Sequence, residues 1–150
     1  MKKIVFFDID DVLFNTALFI DSEFKVFKAY EDAKEVLEKI RKDADVAILS
    51  KGEYNLQLTK LKESNLISFF EKESIFVVEE KNEAVRDIFA TFKDKDIFMV
   101  DDRLNTLWEI KKNNPSVKTV WIKRGRHTNI ACEYKPDYSI DSLSQLLELI

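Results

Sequence analysis

Short apolar runs alternate with longer amphipathic stretches along this chain. Ile4–Phe7, Val46–Leu49, Ile75–Val78, Ile97–Val100 and Val117–Ile122 are the runs. Runs of this length without polar alternation read as strands buried on both faces, which implies a parallel sheet covered by helices on both sides. Between them the period changes. Ala33, Val36, Leu37 and Ile40 fall at i, i+3, i+4 and i+7, one face of a helix over residues 30–42. A helix over 53–63 would turn Tyr54, Leu58 and Leu61 inward, and Val85, Ile88, Phe89 and Phe92 mark the next. Leu104, Leu107 and Trp108 begin another, closed by Asn113-Asn114-Pro115; Trp108 and Trp121 read as core. A short strand, Tyr138–Ile140, precedes a final helix with Leu143, Leu146, Leu147 and Ile150 inward and Asp141 as candidate N-cap. Residues 14–23 read as a turn followed by an irregular helix or hairpin. The alternation predicts an α/β fold: a three-layer, doubly wound, Rossmann-like parallel sheet in one domain spanning 1–150.

Composition narrows the class. At 150 residues, 45% hydrophobic and 35% charged, the chain suits one globular domain with a sizeable core. A net charge of −4 weighs against nucleic acid as a general partner. Cys132 is the only cysteine, so an intrachain disulfide is excluded and a Cys-based zinc site disfavoured. Lys2 and Lys3 precede an apolar run, but that run stops at Asp8, too short for a signal peptide. No stretch approaches membrane-spanning length, so a cytoplasmic protein with no membrane partner is the default expectation. With two glycines there is no GxGxxG or Walker loop. His127 is the only histidine, which excludes a His-based triad or a His-rich metal site.

The chemistry lies where the apolar runs end. The first ends in Asp8-Ile9-Asp10-Asp11, the second in Ser50-Lys51-Gly52, and the fourth in Asp101-Asp102; Lys81 follows the third. In a parallel sheet the carboxyl ends share one edge, where open α/β sheets place their ligands. In extended geometry Asp8 and Asp10 point to the same side. Crowded carboxylates repel unless a cation neutralises them, and a hard cation between them makes a Mg²⁺ phosphoryl-transfer site. Each piece also has a plain explanation: an acidic turn, helix caps at Ser50 and Asp101-Asp102, a solvated lysine at Lys81. Together, three carboxylates, a hydroxyl and a lysine are what phosphoryl transfer needs.

These residues resemble the haloacid dehalogenase (HAD) superfamily of aspartate-nucleophile hydrolases. Phe7-Asp8-Ile9-Asp10-Asp11-Val12-Leu13 resembles its first motif, and Ile48-Leu49-Ser50-Lys51-Gly52 its second. Lys81 stands where the third-motif lysine belongs, and Met99-Val100-Asp101-Asp102 resembles the acidic fourth motif. Val120–Gly125 and Pro136–Ile140 resemble tail segments of the family. The resemblance implies that Asp8 is the nucleophile and Asp10 the general acid and base. It implies Mg²⁺ bound by the Asp8 carboxylate, the Asp10 carbonyl and Asp101, with Asp102 behind them. Ser50, the Lys51 amide and Lys81 would hold the phosphoryl oxygens. Family dehalogenases lack the second aspartate, so Asp10 implies a phosphatase or phosphomutase.

The segments between motifs one, two and three leave little room for a cap, so the resemblance implies a minimal-cap or capless member. An open site suits a bulky or macromolecular phosphorylated substrate, or closure by a partner subunit. Selectivity would then come from the rim: residues 14–24, Arg103, and the basic cluster Lys123, Arg124, Arg126 and His127. Two other readings remain: a response-regulator-like phosphoacceptor module, which needs an acceptor Asp at the end of the third strand, and a non-catalytic binding subunit of the same fold. The sequence carries no signal for oligomeric state.

Overall fold

The structure, a computed structural model, describes residues 1–150 apart from the side chains of residues 81–83. Six strands form one sheet: β1 (Lys3–Phe7), β2 (Ala44–Lys51), β3 (Ile75–Val78), β4 (Asp96–Asp101), β5 (Lys118–Ile122) and β6 (Tyr138–Ile140). Their order is β3-β2-β1-β4-β5-β6, and every pairing is parallel. β1 is central, with Phe7 opposite Ile48 on one side and Val100 on the other. A receiver-type sheet runs 2-1-3-4-5, with β3 rather than β4 beside β1, so the phosphoacceptor-module alternative does not match this order.

The unalternating strands are buried on both faces, as their sequence requires. Val5, Phe7, Ile48, Phe98, Val100 and Ile122 face a core closed by Val36, Leu37 and Ile40 of α2 (Ala33–Ile40). Ile4, Phe6, Ala47, Leu49, Ile97 and Met99 face the other core. That side is covered by α4 (Lys81–Thr91) and α5 (Leu104–Asn113), through Val85, Phe89, Leu107 and Ile110. Phe6 packs edge-on against Phe89 and Phe92. Each such fully buried side chain contributes about 2 to 3 kcal/mol by removal from water. Between β1 and β2 the chain makes only α1 (Thr16–Asp21), a return through an antiparallel bridge from Phe14 to Ala29, and α2, so there is no cap domain there. Among the described residues no helix is long and apolar enough to cross a membrane.

Three expectations change. The last helix is a 3₁₀ helix, Leu143–Glu148, capped by Ser142 rather than Asp141 through a reciprocal box with Gln145. Three residues per turn stacks Leu143 over Leu146, and both are buried. The inward face of α3 (Tyr54–Glu63) is polar: Gln57 and Lys60 are buried with Leu61, while Tyr54 is exposed. Trp108 is surface-exposed and stacks on Tyr134, with ring planes 7° apart.

Candidate active site

The Asp8 amide donates to the Val100 carbonyl at 3.1 Å, extending the β1–β4 ladder one residue past the strand. The chain then turns sharply. Leu13 and Phe14 both donate to the Ile9 carbonyl, and Asp11 adopts a left-handed φ of 64°. The turn packs against the loop after β5, where Gly125, also left-handed, lies directly on Asp11. Asp11 is fully buried, and its Oδ2 accepts from Arg126 Nε at 3.0 Å and Nη2 at 2.9 Å.

Across the edge, β4 delivers Asp101 and Asp102. Carboxylate oxygens of Asp8, Asp101 and Asp102 lie within 4.8 Å of one another, and all three residues are buried. Burial, then the charges of Asp101, Asp8 and Asp11, push the Asp102 carboxyl up to about 9. Its Oδ2 is 2.7 Å from His127 Nδ1, and its carbonyl accepts the Trp121 indole N–H at 3.0 Å. Burial, with Arg103 and Arg126 nearby, holds His127 below the ordinary imidazole value. Asp101 Oδ1 accepts from the Arg103 amide at 3.0 Å. A cluster of oxygen-only donors in which one carboxyl resists ionising fits a hard divalent cation such as Mg²⁺ better than a soft metal.

Asp10 faces the opposite wall. Its Oδ1 accepts from Lys60 Nζ at 2.8 Å and Thr16 Oγ1 at 2.9 Å, and its Oδ2 from Gln57 Nε2 at 3.1 Å. Burial raises the Asp10 carboxyl, but the charge and hydrogen bond of Lys60, with Gln57 and Thr16, outweigh it and leave the pKa below the usual carboxylate value. The Lys60 ammonium is itself buried, 5.5 and 5.4 Å from the ring centres of Phe14 and Phe19. Gln57 also donates to Ser50 Oγ at 2.7 Å, so one amide ties Ser50 to Asp10.

These groups surround a cavity of about 460 Å³ lined by Asp8, Asp10, Asp102, Lys51, Arg103 and Arg126, among others. The structure therefore brings Asp8, Asp10, Asp101 and Asp102 to one edge, as the strand ends led one to expect. Asp102 stands in the cavity wall rather than behind it. Ser50 is fully buried at the end of β2. The Lys51 side chain is exposed and paired with Glu80 at 2.9 Å. Lys81 lies outside the described residues. The sequence pattern does not single out Gln57 and Lys60, because nothing in it distinguishes a polar residue buried by a carboxylate from one facing water. The basic cluster is not a single rim. Arg124 turns away, grips both Asp32 oxygens at 2.9 and 3.1 Å, donates to the Val12 carbonyl and covers the Tyr30 ring.

No family model matches the chain. Among curated proteins, a glyceraldehyde 3-phosphate phosphatase from Pyrococcus furiosus is 29% identical over 87% of this chain, and the chain spans 58% of that relative's length. A haloacid dehalogenase-like hydrolase from Burkholderia xenovorans superposes with a TM-score of 0.85 at 16% identity, over 99% of this chain and 97% of that one. A predicted phosphoglycolate phosphatase from Haemophilus somnus gives 0.76 at 14% identity, over 99% and 97%. At such identities the structural likeness speaks for the fold. That fold is the haloacid dehalogenase-like one, and the curated relative similar to this chain in sequence is a phosphatase.

Proposed function

We propose that this chain is a magnesium-dependent phosphomonoester hydrolase working through an aspartyl-phosphate on Asp8. The observation that carries the reading is the convergence of Asp8, Asp101 and Asp102 within 4.8 Å, with Asp10 held separately on the facing wall. The two phosphatases among the similar proteins support it. In this reading Asp8, the Asp10 carbonyl, Asp101 and Asp102 hold Mg²⁺. When bound, the ion neutralises the carboxylates and draws charge from the phosphoryl oxygens.

An Asp8 oxygen attacks phosphorus in line. The new Asp8–O–P bond forms as the bond to the leaving oxygen breaks. The anionic phosphoryl group beside Asp10 opposes the Lys60 charge and keeps on Asp10 the proton taken from water in the preceding turnover, which Asp10 gives to that oxygen. Asp10, again a carboxylate, takes a proton from water. The water oxygen attacks phosphorus, the Asp8–O–P bond breaks, and inorganic phosphate leaves. Thr16, Gln57 and Lys60 hold Asp10 through both steps, as a positioned acid–base group requires. Ser50, the Lys51 amide and Lys81 steady the phosphoryl oxygens. The chain acts as one domain, and no catalytic position is vacated as a purely binding subunit would allow.

The test is hydrolysis of phenyl phosphate with Mg²⁺, after exhaustive chelation, and in Asp8→Asn. Turnover lost on chelation and in the variant, with a beryllium fluoride adduct on Asp8, is the expected result. Full activity without metal, or an adduct on Asp101, would overturn it.

A further inference from the structure

The cations around the cavity are not equivalent. Arg126 is committed to the buried Asp11, and Lys51 is paired with Glu80. Arg103 also lines the cavity, and among the described residues no carboxylate pairs with its side chain. Its guanidinium is nevertheless tethered. Arg103 Nη2 is 2.8 Å from His127 Nε2, while His127 Nδ1 is 2.7 Å from Asp102 Oδ2. One tautomer serves both contacts: Nδ1–H donates to the Asp102 carboxyl oxygen, and Nε2 accepts from Arg103. The imidazole carries little exposed surface, so the relay is a fixed strut from the acidic cluster to the cavity mouth.

We propose that Arg103 forms a subsite for a second anionic group, carried on the leaving-group side of the substrate; this rests on the phosphatase reading above. An arginine offers five N–H donors in a planar fork, and the tether uses only Nη2. The remaining donors match a carboxylate or phosphate in two-pronged fashion. A neutral imidazole anchors the guanidinium without cancelling its charge, unlike the carboxylates that hold Arg126 and Lys51. The side-chain freedom normally lost on binding is already restricted by the tether. The remaining acid on this wall, Glu109, is paired with Lys112 at 3.3 Å. The substrate class implied is a phosphate monoester whose alcohol portion carries its own oxyanion.

The test uses the Mg²⁺-loaded protein and four esters: a phosphorylated short hydroxy acid, its amide, a short-chain bisphosphate, and phenyl phosphate. Expected is a kcat/KM ratio of acid to amide of roughly tenfold or more, carried by KM. In Arg103→Met the ratio should fall toward one, and Arg103→Lys should retain part of it. The bisphosphate arm tells whether carboxylate or phosphate is preferred. Calorimetry with the non-hydrolysable methylene phosphonates of the acid and the amide reads the same preference without turnover. Binding preference without hydrolysis of any ester would sink the phosphatase reading and leave the subsite standing. Hydrolysis with no acid-over-amide preference, or a preference unchanged in Arg103→Met, would overturn the subsite.

Discussion

Gly125 lies so close to Asp11 that a β-carbon added to it would stand 2.5 Å from the Asp11 Cβ. Both residues are left-handed, with φ of 82° and 64°, so two turns from opposite sides of β4 meet at one point. Real β-carbons do not approach that closely, and neither turn has a flexible end to yield.

Gly125→Ala should therefore destabilise the protein by about 2 to 4 kcal/mol, combining backbone strain with overpacking. Because the displaced residue follows Asp10, turnover should fall as well. Urea unfolding and phenyl phosphate kinetics on the same preparation check both.

The Asp102 carboxyl makes a pH prediction for the metal-free protein. Its folded pKa, about 9, lies above the unfolded value, so folding favours the protonated form. That stability is fully present below about pH 4, where an unfolded aspartate titrates, and is lost as pH rises toward the folded pKa. Asp102→Asn should flatten this decline, seen as Tm against pH without metal. In the unaltered protein a divalent ion competes with the proton, so its affinity should rise over the same range. A Tm independent of pH from 4 to 9 without metal would contradict the assignment.

Arg124 should prove structural. It holds Asp32, whose Oδ2 also accepts the Leu143 amide, so one carboxylate joins the starts of α2 and the last helix to the loop after β5. Arg124→Met leaves a largely buried carboxylate uncompensated, and about 2 to 4 kcal/mol should be lost. KM for phenyl phosphate should hold steady, because the side chain points away from the cavity. A raised KM with unchanged urea midpoint would restore the rim role expected from sequence.

The sheet and its acidic edge were legible because burial and charge change abruptly at single residues: Phe7 to Asp8, and Val100 to Asp101. Polar residues that serve each other inside the fold were not. Gln57 and Lys60 occupy the inward face of α3, yet their residue types read as solvent-facing, so the pattern turned Tyr54 inward instead. The cause lies far off in sequence: the face meets Asp10 and Ser50 rather than an apolar sheet surface. Arg124 looks like a rim residue in the sequence for the same reason, since its partner Asp32 belongs to another segment.

Lys60 gives a prediction that separates scaffold from chemistry. Lys60→Met leaves Asp10 with Thr16 and Gln57 only, and should cost about 2 to 4 kcal/mol. Asp10→Asn leaves the buried ammonium uncompensated, so it too should destabilise. The double variant should be less unstable than the sum, a coupling that urea unfolding of all four proteins measures. Additive losses would mean that the two groups act independently.

The β1–β4 pairing has a kinetic consequence. Asp8 and Asp10 precede β2, α3 and β3 in the chain, but Asp101 and Asp102 follow them, and the clusters meet only when β4 inserts beside β1. A partly folded chain holding β1, β2 and β3 would carry half of the acidic cluster and no ion site. Closing such a long loop is slow relative to local structure. An ion that binds only the finished edge stabilises the native state alone, so it should slow unfolding more than it speeds refolding. Metal occupancy is thereby a reporter of the docking of β4 beside β1, and a stopped-flow metal indicator should follow the joining of the two halves of the sheet rather than the nucleation of either.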